Sequence, residues 1–125
     1  MGLGQSKYSD NDFELAIRAA KDLEYLLESE FGASGKGLHE KISSGSATGL
    51  IPEKLVKKMR YLATLRNQLV HQHGFNRIPN RESFIRAFET SEMELKSIVE
   101  ATRRQKHGRE GGGILRNVLN FFVGA

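Results

Sequence analysis

Apolar residues recur at spacings of three and four through three long segments of this chain, and nowhere do they alternate with period two for long enough to make a strand. That pattern restricts the fold to packed amphipathic helices. The first segment follows Ser9 and Asp10, which can cap the orphan amides of a first turn, and it carries Phe13, Ile17, Ala20, Leu23, Leu27 and Phe31 as far as Gly32. A Gly- and Ser-rich stretch comes next, with Leu38 and Ile42 its only apolar pair at helical spacing, which predicts a short second helix between flexible joints. Pro52 stands where a helix favours its first residue, and Leu55, Met59, Leu62, Leu65 and Leu69 continue a stripe to Gly74. Beyond the loop "GFNRIPN", Asn80 is a candidate cap for a third long helix marked by Phe84, Phe88, Leu95 and Val99 and running to about Arg104.

The expected fold is therefore all-α, a small up-and-down helical bundle of three long helices plus a short second helix. Residues 1–9 read as a flexible N-terminus, 10–105 as the bundle domain and 106–113 as a basic, Gly-rich linker. Residues 114–125 read as an additional short C-terminal helix with Ile114, Leu115, Val118, Leu119, Phe122 and Val123 on one face. At 125 residues and 38% hydrophobic content, one domain with a single modest core is expected. No cysteine is present, which excludes disulfides and thiolate zinc sites. The first residues lack a basic stretch followed by an apolar run, and no apolar stretch approaches the ~18 residues of a membrane span. A soluble, cytoplasmic domain is the expectation. The net charge of +4 is compatible with a polyanionic partner without requiring one.

The chemistry-bearing stretch is "TLRNQLVHQHG", residues 64–74, at the end of the second long helix. It closes an otherwise Leu-, Lys- and Ala-rich helix on Arg66, Asn67, His71 and His73. Cations at a helix C-terminus are favoured by the helix dipole alone. An arginine, a polar residue directly after it and a histidine four to six positions on form a narrower pattern, and both His71 and His73 fall in that window.

Together with the preceding "GLIPEKLVKKMRYLATL" and the upstream "FGASGKGLHEKI", this motif resembles the HEPN superfamily of small helical domains, over roughly residues 10–105. The likeness is to its domain-of-unknown-function and toxin ribonuclease branches. The resemblance implies a metal-independent endoribonuclease whose composite site forms where two subunits of a homodimer bring their motifs together. Arg66 matches the motif arginine, Asn67 the polar residue after it and His71 the motif histidine. A nucleotidyltransferase-associated branch has His, any residue, then Tyr; this chain has His71, Gln72, His73, which argues against the tyrosine modification that accompanies that branch.

Helical geometry supports a shared site independently. At ~100° per residue, Arg66 and His71 lie roughly 140° apart around one helix, so one straight helix cannot aim both at a single phosphate. A two-fold partner, or a helix that unwinds near Gly74, resolves this. Arg66 and His73, seven apart, would share a face, so His73 rivals His71 for the catalytic role. Cleavage of RNA by its own 2′-hydroxyl needs a base, an acid and stabilisation of phosphoryl charge. Histidines titrate near neutrality and arginine offers phosphate a planar fork of donors, while Asn67 can orient His71 or bind a phosphate oxygen. No cofactor and no metal are expected, since no carboxylate and histidine set has ligand spacing.

Arg77 and Arg81, just beyond the motif, are the foremost candidate RNA contacts. Lys57, Lys58 and Arg60 read first as a solvated helix face, with Lys58 retained among the RNA-binding candidates. His39 reads as an exposed helix residue. Two other functions stay open: a non-catalytic dimeric binding or assembly module on the same scaffold, and a membrane-associated adaptor suggested by "MGLGQS", where Gly2 and Ser6 fit an N-myristoylation pattern. The apolar tail is expected to dock on its own dimer or to take an antitoxin or other protein partner. A membrane is the less expected partner, because twelve residues cannot span a bilayer.

Overall fold

Four α-helices account for the regular structure of residues 7–108, the part of the chain that the computed structural model describes: α1 Asp12–Phe31, α2 Leu38–Ser46, α3 Glu53–His71 and α4 Arg81–Gly108. The all-α bundle expected from the apolar spacing is present, and among the described residues there is no strand. The proposed C-terminal helix, the Gly-rich part of the linker and the Gly2 pattern lie outside the described residues.

Polar contacts at both ends of the bundle fix its sense. At one end the Asp12 carboxylate accepts the Ile78 N–H at 2.7 Å and pairs with Arg81 at 2.5 Å, while Arg81 also donates to the Ser9 carbonyl. At the other, Arg103 reaches Glu30 at 3.3 Å. Hence α1 and α4 run parallel, and α3, joined to α4 by a short loop, runs antiparallel to both. The short α2 lies across α1 and α3. Its Lys41, buried along its length, bonds Glu24 at 3.1 Å and Glu28 at 2.8 Å on α1.

Helix ends follow local chemistry. The cap of α1 is Asn11, whose side chain accepts the Glu14 N–H at 3.1 Å, and not Ser9 or Asp10. Ser9 instead accepts the Asn11 N–H and donates to Glu14, holding the cap in place. Gly32 ends α1 in the left-handed region at φ 65°, where its N–H returns to the Leu27 carbonyl. Gly35, at φ 139°, is required twice over, because a Cβ there would stand 2.5 Å from that of Glu40. Asn80 caps α4 as expected, accepting the Ser83 N–H at 3.0 Å.

Two boundaries and one buried face differ from the sequence reading. Residues 7–9 are fastened down rather than loose: Tyr8 donates to Glu89 at 2.6 Å and stacks edge-on against Phe88. Helix α4 runs through residues 106–108, the first part of the expected linker, because nothing before Gly108 breaks it. On α1 the buried stripe is Leu15, Ala16, Ala19, Ala20, Leu23, Leu27 and Phe31. Phe13 and Ile17 sit beside it and remain 38% and 36% exposed, since the alanines let α1 approach its neighbours on the adjacent side. The expected residues of α3 and α4 are in the core, with Leu55, Met59, Leu62, Phe84 and Leu95 at most 1% exposed, except Val99, which is only partly buried against it.

Ser91 of α4 is fully buried, and its Oγ has no hydrogen-bond partner among the described residues. A buried hydroxyl without a partner carries its desolvation cost uncompensated. Ser91→Ala should therefore stabilise the fold by about 1 kcal/mol, helped by the better helix propensity of alanine. Thermal unfolding should show a melting temperature higher by roughly 4–8 °C for a domain of this size. A lower value would mean that the hydroxyl has an acceptor in solution.

Candidate functional site

Leu62, Leu65 and Leu69 pin one face of α3 into the core, which fixes where the motif side chains go. Arg66 and Asn67 are half-buried, and the Arg66 Nη1 donates to Asn67 Oδ1 at 3.0 Å. Both line a groove of about 410 Å³ between α1, the start of α2 and α3, together with Ile17, Lys21, Gly37 and His39. His71 faces a different, open hollow of about 340 Å³, shared with Thr64, Asn67, Gln68 and Gln72. Asn67 borders both. Within one subunit, then, Arg66 and His71 serve separate concavities on either side of Asn67, as the angle between positions five apart requires.

The helix does not unwind to bring them together. It stays regular to His71, and Gln72 closes it by donating its N–H to the Gln68 carbonyl at 2.9 Å. His73 consequently lies past the helix, in a turn where Phe75 donates to the Gln72 carbonyl and Gly74 takes φ 91°. The shared face inferred for Arg66 and His73 needs helix through residue 73, so that pairing is lost; His73 borders neither concavity. Both histidines are exposed and neither is hydrogen-bonded among the described residues.

The candidate RNA contacts separate into two kinds. Arg77 is exposed and unpaired among the described residues. Arg81 is occupied at the Asp12 and Ser9 junction, where it joins the first turns of α1 and α4. Lys58 is half-buried and reaches Glu94 at 3.3 Å, linking α3 to α4. Among the described residues no group of three His, Asp or Glu side chains could hold a metal ion, and no helix is long and apolar enough to cross a membrane.

Two residues read as solvent-facing have structural partners. The Arg60 guanidinium lies 3.1 Å from His39 Nδ1, donates to the His39 carbonyl at 3.3 Å and to Ser43 Oγ at 2.8 Å, while Thr64 Oγ1 is 3.4 Å from His39 Nε2. An arginine only donates, so Nδ1 must be the acceptor and the ring proton belongs on Nε2, facing Thr64. His39 is thus held neutral, and burial, reinforced by the Arg60 charge, lowers its pKa below the ordinary histidine value. His39 and Ser43 are four apart on α2, and Arg60 and Thr64 four apart on α3, so each helix has a local polar stripe, but that spacing does not say which stripe meets which.

A histidine whose folded pKa is lowered binds fewer protons in the native state than in the unfolded one below pH ~6.5, so stability falls as the pH drops through that value. Wild-type protein should lose more stability than His39→Gln between pH 7.5 and 5.5, by up to about 1 kcal/mol. Urea unfolding at both pH values measures the difference. Equal losses would show that His39 does not titrate with unfolding.

No family model, curated protein or solved structure matches the chain. The resemblance to HEPN domains accordingly stays an expectation read from the sequence motif and its spacing.

Proposed function

We propose that this chain is a metal-independent endoribonuclease of HEPN type, acting as a homodimer with a composite Arg-His site. The observation that carries the reading is the divergence of Arg66 and His71 into two concavities that share only Asn67. A two-fold related copy set against this face brings the Arg66 of one subunit towards the His71 of the other, which one subunit cannot do alone. The rim supports such a contact. Phe13 and Ile17 near the start of α1 and Val70 at the end of α3 are large apolar residues left 36–42% exposed, and α1 and α3 are packed antiparallel there.

In this reading a neutral His71 takes the proton of the 2′-hydroxyl as its oxygen bonds to phosphorus. The bond to the 5′-oxygen breaks, that oxygen receives, through a water molecule, the proton that His71 has just accepted, and Arg66 stabilises the charge on the phosphoryl oxygens. The products are a 2′,3′-cyclic phosphate and a 5′-hydroxyl. Incubation of the protein with mixed RNA in EDTA, followed by analysis of the ends, tests it. Ends bearing 2′,3′-cyclic phosphate or 3′-phosphate support it; intact RNA opposes it.

The second reading is a dimeric, non-catalytic binding or assembly module. It is favoured by the exposure of His71 and His73, neither of which has a hydrogen-bond partner among the described residues. Sedimentation across a concentration series together with the EDTA assay separates the two. A dimer that leaves RNA intact selects the module, and a strict monomer removes the composite site.

A further inference from the structure

The groove on the Arg66 side carries cations in excess of its available anions. Lys21 on α1 and Lys36, just before α2, are exposed, and neither ammonium is paired among the described residues. Arg66 uses one N–H on Asn67, leaving the rest of its donor fork for a ligand. Of the two carboxylates that line the groove, Glu24 is ion-paired and Glu40 keeps its charge, which leaves three cations against one unpaired anion among the described residues. Glu24 is held by Lys41 Nζ at 3.1 Å, and Glu40 Oε1 accepts the Lys36 backbone N–H at 2.9 Å. The mouth beside these cations is open, since a Cβ added at Gly37 would meet nothing within 4 Å. Ile17 supplies an apolar stretch of wall next to Arg66 and Asn67.

We infer that this α1–α2–α3 groove is a phosphate subsite, in which Lys21, Lys36 and Arg66 hold the RNA backbone next to the phosphate that is cut. The ligand assignment rests on the ribonuclease reading above; the charge argument for a phosphate does not. Arg66 belongs to both places, since it lines the groove and bonds Asn67, which borders the His71 hollow. A single-stranded backbone lying across this face thus meets the lysines on one side of Asn67 and the histidine on the other.

The test is binding of a 2′-O-methyl RNA oligomer, which has no free 2′-hydroxyl to attack, to the full chain over a salt series by fluorescence anisotropy. Two variants are compared with wild type. Lys21→Gln with Lys36→Gln removes two cations and should weaken binding by about ten-fold at moderate salt, and flatten the slope of log K against log salt by roughly 1.4, or ~0.7 for each lost phosphate contact. Gly37→Asp places a carboxylate at the groove mouth. It also supplies a cap at an α2 N-terminus that has no side-chain cap, and Gly37, with φ −148°, is extended backbone that any residue adopts. Its melting temperature should hold or rise while RNA affinity falls, which separates lost charge complementarity from unfolding.

Wild-type affinity and slope in the double lysine variant would overturn the subsite, even if the protein cuts RNA. Lysine-dependent binding of the oligomer without any cleavage of ordinary RNA would leave the subsite standing and remove the nuclease reading. Inorganic phosphate serves as the third probe. If it binds in a lysine-dependent way while oligomer affinity ignores the lysines, the groove takes a free anion and the RNA assignment is wrong. Absence of oligomer binding by wild type overturns it as well.

Discussion

Arg66→Ala is expected to slow RNA cleavage by roughly 10²–10⁴-fold, the range for removal of a group that stabilises transition-state charge, with little change in melting temperature. The side chain is half-buried and its one hydrogen bond among the described residues is to the neighbouring Asn67, so the fold loses little with it. His71→Ala should be similarly inactive and equally stable, because an exposed ring with no partner among the described residues contributes little to folding. His73→Ala should lose about ten-fold, as a residue that supports the site from the turn beyond α3. A dead His73→Ala with a mild His71→Ala would reverse the assignment of the two histidines. The composite arrangement makes a sharper claim. Mixed under exchange, inactive Arg66→Ala and His71→Ala proteins should regain about a quarter of wild-type activity. Half of the dimers are then mixed, and each mixed dimer has one intact pairing. Recovery confined to the level of the separate variants would mean that each site draws on a single subunit.

How far the sequence reached follows from the range of the interactions involved. Spacings of three and four are local, so the number, order and approximate ends of the long helices could be read directly, and with them the position of Arg66, Asn67 and His71 at the close of α3. The divergence of Arg66 and His71 was legible for the same reason, being a property of one helix. What could not be read are the pairings between helices. Arg60 with His39, Lys41 with Glu24 and Glu28, and Arg81 with Asp12 join residues between 13 and 69 positions apart. No local period encodes which charged residue of one helix meets which of another. Three of these residues therefore looked like solvated surface or RNA contacts and turned out to hold helices together. Phe13 and Ile17 misled in the opposite direction. Their spacing marked them as core, yet Leu15, Ala16 and Ala19 fill that role, and Phe13 and Ile17 are left at the exposed margin of the stripe. A bulky apolar pair displaced from the core by alanines is itself a sign of a surface made for contact.

Lys41→Ala is expected to produce the largest loss of stability among these variants. Its side chain is 8% exposed and bonds two carboxylates one helical turn apart on α1, Glu24 at 3.1 Å and Glu28 at 2.8 Å, so it is the joint between α1 and α2. Removing it strips the packing of its stem and leaves two like charges facing each other at a spacing where they repel. Breaking a fully buried pair costs ~3–5 kcal/mol; here Glu28 is half exposed to water, so about 2 kcal/mol is the expected loss, or a melting temperature lower by roughly 10 °C. Lys41→Met restores the stem but not the charge and should fall between. Lys41→Met with Glu24→Gln and Glu28→Gln removes all three charges and should return close to wild type, since a neutral, packed replacement of a buried ion cluster is often no less stable. The bonds to Glu28 and then Glu24 raise the Lys41 pKa despite its burial. A raised lysine pKa gives stability that is complete below the unfolded value of ~10.4 and is lost only as the pH rises through the folded one. The Lys41→Ala deficit should therefore be the same at pH 5.5 and 7.5, whereas the His39 contribution is lost on the acid side. Because α2 carries Gly37 and His39 into the Arg66 groove, the same variant should also speed hydrogen exchange at the α2 amides before those of α3. Uniform acceleration across the bundle would instead mean that α2 and the long helices open as one unit.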